Sequence, residues 1–177
     1  MRQIVQMGSK ESNILLKPTA TLQSENTPQM KRLTFMLMAE LKGRHSIALG
    51  IALNQLNSPY HGFIVKLGNH YRTFFNATII KHSSTFTVQK ESCLSCNKGK
   101  DECHVKRWDD ITINYLVHNT GRITSEKFSD MDARIIQHEI DHCNGITILD
   151  KAESAAKISD LQIVVEDDNE EENISCS

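Results

Sequence analysis

The segment from Ser129 to Asn144 constrains the fold more than any other. Its apolar residues Met131, Ala133, Ile135, Ile136 and Ile140 go nearly all the way round a helix, so this helix is expected to be buried on most sides. Ser129 or Asp130 can cap it, acidic residues occupy its first turn, and Gly145 follows its end. Yet it carries His138 and His142, and buried polar groups need partners. Residues i and i+4 lie one above the other on the same face, so the two imidazoles can share one metal ion. Glu139 lies about 100° round from His138. There it can take a proton from water without being a ligand. Two core histidines beside a chance glutamate give the same short pattern; the capped helix around it favours the metal.

A catalytic metal site usually has three protein ligands and an open position. Cys93, in Glu91-Ser-Cys-Leu-Ser95, is the leading third ligand, because thiolate binds zinc and ferrous iron strongly. A competing arrangement exists. Cys93, Cys96, Cys103 and His104 form C-x2-C-x6-C-H, which could be a closed structural zinc site. Adjacent Cys103 and His104 make tetrahedral closure awkward, so Cys96 and Cys103 are read as plain thiols. Cys143 is read as core; Cys176 lies in the tail. Five cysteines, an odd count, in a chain that starts without a signal-peptide core predict thiols or ligands, not a disulfide framework.

Elsewhere the pattern predicts a helix starting near Thr27-Pro28, with Thr27 as cap and Pro28 at the first helical position. Met30, Leu33, Leu37 and Leu41 give it a core-facing stripe, and Gly43 stops it. Strands are expected at Gly62 to Leu67, Thr73 to Ile80, Thr85 to Val88 and Ile111 to Val117. A turn at His118 to Gly121 leads into a return strand through Ile123. The first 25 residues suggest short edge strands and loops. Ala48-Leu-Gly-Ile-Ala-Leu-Asn-Gln55 reads as an apolar loop with a polar end. In it Gly50 permits close backbone approach, and Gln55 offers an amide suited to an oxyanion.

With 177 residues, 39% hydrophobic and 24% charged, the chain suits one domain over residues 1–152 and a short C-terminal segment over 153–177. The acidic run from Glu166 to Asn173 is expected to be a disordered, solvated tail. A net charge of −2 leaves no basic footprint for DNA or RNA. No apolar run spans a bilayer. The expected setting is cytoplasmic, bacterial or in a virus-infected host, or else an organelle, and the expected state is a monomer.

Three segments together resemble the peptide deformylase family: Ala48 to Gln55, Glu91 to Ser95, and Gln137-His-Glu-Ile-Asp-His142, in the family's order. Weaker similarity covers Ile4-Val5, the helix before the first segment, Asn76, and Val105 to Arg107, so the resemblance runs to about Asp150. It implies an α+β fold, with antiparallel sheets packed around a central metal-binding helix. It implies that Cys93, His138 and His142 bind one divalent ion, Fe2+ natively, with Zn2+ or Ni2+ able to replace it. The metal would hold the water that attacks the formyl carbon of a formyl-methionyl nascent peptide. Glu139 would move the proton to the leaving amine, and Gln55 with the backbone N–H of Leu94 would hold the oxyanion. Gly50 would meet the substrate backbone, and Leu49, Met131 and Ile135 would line the methionine pocket. Glu91 and Asp141 would orient ligands or pair with Arg107. Any transient ribosome contact would not use the acidic tail.

The chain departs from the family's pattern at Ala48, Leu53, Asn54, Ser92 and Cys143, none of which removes a ligand or the base. Asn54 replaces a proline, which is expected to loosen the backbone before Gln55. Gln89 and Arg134 stand where apolar pocket residues are usual. A buried charge needs a partner, so Arg134 points away, pairs with an acid, or alters the pocket. Three functions therefore compete. The first is a deformylating hydrolase. The second is a metal-keeping relative that binds peptide N-termini with little or no turnover. The third is a zinc-stabilised interaction module.

Overall fold

The computed structural model describes residues 1–152. The described residues form an α+β fold with two helices, seven strands and two antiparallel sheets. Strands β1 (Gly50–Ala52), β2 (Gly62–Leu67), β3 (His70–His82), β6 (Asp110–Leu116) and β7 (Ile123–Ser129) make one sheet, in the order β1-β2-β3-β6-β7. Strands β4 (Phe86–Ser92) and β5 (Glu102–Trp108) make a separate ribbon. Helix α1 is Thr27–Lys42 and helix α2 is Asp130–Cys143. Neither is long and apolar enough to cross a membrane.

The larger sheet is covered on both faces, and β2 shows why. Successive strand residues point to opposite faces. Phe63, Val65 and Leu67 pack with Ala133, Ile136 and Ile140 of α2, whereas Ile64 packs with Met30, Leu37 and Leu41 of α1. Apolar residues at both parities demand burial on both sides, and each such side chain stabilises by roughly 1.5–3 kcal/mol. The β4–β5 ribbon flanks α2 from another direction: the Gln137 amide donates to the Trp108 carbonyl at 2.8 Å. Helix α2 is thus enclosed, with ten of its fourteen residues buried.

Several local expectations shift. Asn26, not Thr27, caps α1, and its amide bonds the Gln29 side chain instead of the backbone. Ser129 caps α2 without a side-chain bond, and Asp130 enters the helix at φ 54° with its N–H on the Asp109 carbonyl. The first 25 residues form no strand. Instead Val5 N–H donates to the Gln55 carbonyl at 2.9 Å and Met7 N–H to the Ser95 carbonyl at 2.8 Å, so the N-terminal segment straps two later turns together. Asn76 sits at a bulge inside β3, at φ 49°, a conformation asparagine tolerates. Its side chain exchanges two hydrogen bonds with the Leu22 backbone.

Strand β4 runs four residues beyond Val88, and β5 is wholly unexpected. Both strands turn charged residues inward: Glu91 on β4 and Arg107 on β5 are buried against each other. A pattern search for apolar alternation misses such strands. The expected acidic tail lies outside the described residues.

Gly145 ends α2 at φ 76°, and a Cβ there would sit 2.6 Å from the Lys17 backbone. Gly145→Ala should therefore lower unfolding free energy by about 2–3 kcal/mol, read as a lower urea midpoint with unchanged slope.

Candidate metal centre

Helix α2 presents His138 and His142 one turn apart, and the turn after β4 presents Cys93 to them. Cys93 Sγ lies 3.1 Å from His142 Nε2. One ligand atom from each of Cys93, His138 and His142 falls within 4.8 Å of the others. All three are shielded, His138 least so. One thiol and two imidazoles crowded at this range suit a borderline-soft divalent cation, leaving one position open. The donor set therefore fits a metal of the kind the family resemblance implies. Among the described residues no other such group forms, so the closed site through Cys96, Cys103 and His104 is not favoured. Cys96 instead packs with Val105 and Ile148.

The ligand geometry is set from behind by Glu91. Its carboxylate accepts from His138 Nδ1 at 3.0 Å, leaving Nε2 of that ring to face the other donors. It also accepts from Arg107 Nε and Nη2 at 3.0 and 2.9 Å, and from Arg134 Nη1 at 2.6 Å. Burial alone would raise the Glu91 pKa, but the His138 and Arg107 donors outweigh it and hold it well below the usual carboxylate range. Arg107 reaches on to Asp141, which Lys151 also pairs at 3.0 Å. Arg134 thus pairs with an acid, and it also donates to the Thr87 and Val105 carbonyls at 2.8 and 3.2 Å. Burial also pushes His142 well below its ordinary value, favouring the neutral ring that a metal needs.

Glu139 sits beside the ligands with one carboxylate oxygen buried and unpartnered among the described residues. Burial raises its pKa to about 7, against the pull of His138 and Arg107. The reason for glycine at position 50 is specific: a Cβ there would collide with the Glu139 carboxylate. The close approach that Gly50 permits is therefore to Glu139.

Gln55 lies in a 3-10 turn, Asn54–Leu56, just after β1. Ala52 N–H fixes its amide oxygen at 2.9 Å, and its Nε2 points to Ser95 Oγ at 3.1 Å and Cys93 Sγ at 3.6 Å. Asn54 was expected to loosen this turn. Its side chain instead donates to the His142 carbonyl at 2.6 Å, tying the turn to the end of α2. Among the described residues no acceptor pairs with the Leu94 N–H. The Leu94 carbonyl accepts from Gln6 Nε2 at 2.8 Å.

These groups open onto a cavity of about 550 Å3. Leu49, Gly50, Leu94, Met131 and Ile135 line it with Gln55, Cys93, His138 and Glu139, while His142 lies behind. Leu49 and Met131 are about half exposed at the rim and Ile135 is buried on the wall. Gln89 and Arg134 share the wall, which is therefore mixed rather than wholly apolar. The sequence reading missed Gln6, Ser95 and the N-terminal strap; single polar residues in a loop carry no pattern that would single them out.

The family model described as Polypeptide deformylase matches residues 1–157. The chain is 30% identical over 160 residues to the peptide deformylase of Rhodopseudomonas palustris, covering 85% of each chain. It is 26% identical over 159 residues to that of Pseudothermotoga lettingae, covering 89% of this chain and 91% of the relative. A crystal structure of class I type b peptide deformylase from Acinetobacter baumannii superposes with a TM-score of 0.75 at 25% identity, covering 84% of this chain and 97% of that one.

Burial of Glu139 makes a pH-dependent prediction for the metal-free protein. The unfolded carboxyl ionises near the ordinary value of 4.5 and the folded one near 7, so the folded state binds the proton more tightly. The resulting cost is absent below pH 4.5, grows as pH rises to about 7, and is complete above it. Glu139→Gln should stabilise the metal-free protein at pH 8 by up to about 3 kcal/mol and hardly at all at pH 4.5, read by urea unfolding at both.

Proposed function

This chain belongs to the peptide deformylase family, and from that premise we propose that it removes the formyl group from N-terminal formylmethionine of nascent polypeptides, releasing formate. The observation that supports this reading best is the convergence of Cys93, His138 and His142 beside a buried carboxylate, all opening onto one cavity. Cys93, His138 and His142 would hold one divalent cation. We take Fe2+ as the native ion and Zn2+ or Ni2+ as able to replace it, since thiolate and imidazole suit each. When bound, the cation supplies Lewis acidity, lowering the pKa of water and polarising a carbonyl.

The chain's own residues would do the rest. Glu139 would take a proton from the attacking water, a task that suits a carboxylate whose pKa burial has raised towards neutrality. As the C–N bond breaks, the same carboxyl would deliver that proton to the leaving amine, so water and formamide become formate and a free N-terminus. The Gln55 amide, held by Ala52, and the Leu94 N–H would stabilise the negative charge on the former carbonyl oxygen. Leu49, Met131 and Ile135 would receive the methionine side chain. Arg134 adds no free charge to this pocket, because Glu91 neutralises it.

A formate-release assay on formyl-Met peptides with protein loaded with iron, nickel or zinc tests this. Glu139→Gln should bind metal yet lose about 10²–10⁴ in kcat. Gln55→Ala should lose about 10²–10³ in kcat while keeping its metal. Absence of turnover by the wild type with all three metals would sink the enzyme reading.

A further inference from the structure

Cys96 is a buried nucleophile that the chemistry above does not use. It stands three residues after Cys93, and the segment between them is a tight turn closed by the Cys96 N–H on the Cys93 carbonyl at 2.9 Å. Such a turn holds its end Cα atoms within about 7 Å, close to the 4.4–6.8 Å that disulfides usually bridge. Both side chains enter the same small cluster with Val105 and Ile148. Their access differs. Both are nearly fully buried, at 2% and 1% exposed, but Cys93 lines the open cavity and Cys96 does not. A small oxidant entering by the cavity meets Cys93 first and finds Cys96 behind it.

We propose that Cys93 and Cys96 form a reversible oxidation pair, in which a peroxide joins them as a disulfide and so removes the sulfur ligand from the metal. The proposal rests on the reading of Cys93 as a ligand. The Cys93 sulfur attacks the peroxide, breaking its O–O bond; the sulfur gains a hydroxyl as a sulfenic acid and the peroxide leaves as an alcohol, or as water from hydrogen peroxide. The Cys96 sulfur then attacks the Cys93 sulfur, forming the S–S bond and releasing water. Two thiols lose two electrons and two protons in total, and the peroxide gains them. An external thiol reverses the change by exchange.

The consequence for the centre follows from charge. A disulfide sulfur has no negative charge to donate, so only two imidazoles remain, and the ion is released. The pair also protects Cys93. A sulfenic acid with no partner goes on to sulfinic and sulfonic acids, which thiols do not reduce. Two other cysteines are less well placed. Cys103 lies across the ribbon from Glu91, at the edge of the cluster. Cys143 packs on another side of α2, near the Gly62 carbonyl at 3.8 Å.

The test uses the full chain loaded with zinc, which has no redox chemistry, so oxidation reports on the thiols. Hydrogen peroxide is added, then dithiothreitol. For the wild type we expect a mass loss of two hydrogens, a Cys93–Cys96 linked peptide, release of zinc to a chromogenic chelator, and recovery of zinc binding after reduction. Cys96→Ser should instead gain oxygens at Cys93, lose zinc and fail to recover it. Cys96→Val, which keeps the apolar packing, should do the same if the serine variant folds poorly. Cys103→Ser should behave as wild type. Absence of the link, a link to Cys103, a link with zinc retained, or full recovery by both Cys96 variants would each overturn the proposal. Failure to bind zinc before oxidation would refute the metal-centre reading itself, and mass reports the link independently of it.

Discussion

Glu91 carries a negative charge on a side chain that is only 7% exposed, and three cationic or donor groups converge on it. Arg107 comes from β5, Arg134 and His138 from α2, and Glu91 itself from β4. A buried ion left without its partner costs about 3–5 kcal/mol, so the elements that supply these groups cannot drift apart cheaply. The two arginines also set the chemistry of the centre. They are balanced by Glu91 and Asp141, so neutrality does not require a charge on His138. That ring can donate through Nδ1 and keep Nε2 for a cation.

Around this anchor the site is assembled from segments far apart in sequence. The Gln55 turn is held on three sides: by Ala52 at the end of β1, by the N-terminal strap at Val5, and by Asn54 reaching the end of α2. The Leu94 turn is held by Gln6 and Met7 of the same strap. Preorganised donors matter most where charge develops on a reacting oxygen, and these ties fix the two groups proposed for that task. Asn54, where the family resemblance led one to expect a proline, ties the turn by a hydrogen bond to the His142 carbonyl.

Much of the fold was legible in the sequence where burial follows apolar periodicity. The stripes of α1 and α2, the apolar run of β2 and the alternation of β6 are of this kind. It was not legible where burial is polar. Strand β5 was unreadable because Arg107 shares its inward side with Val105, and β4 was cut short because its continuation carries Gln89, Lys90 and Glu91. The N-terminal segment looked like edge strands because its apolar pairs are short; its backbone bonds to later segments are isolated, at Val5, Met7, Thr19 and Ala20, and build no ladder.

The sequence by itself determined the chemistry that spacing encodes. His138, Glu139 and His142 occupy one helix, and helix geometry fixes their faces whatever surrounds them. Motif order then pointed to Cys93 and Gln55. Only the tertiary structure decided what those residues rest on: that Glu91 orients His138, that Arg134 is neutralised instead of entering the pocket as a free charge, and that Gly50 is small to make room for Glu139. The reason is that such contacts are pairings between distant segments. A charge in a sequence shows that a partner is needed, and only the packed chain shows which one it has.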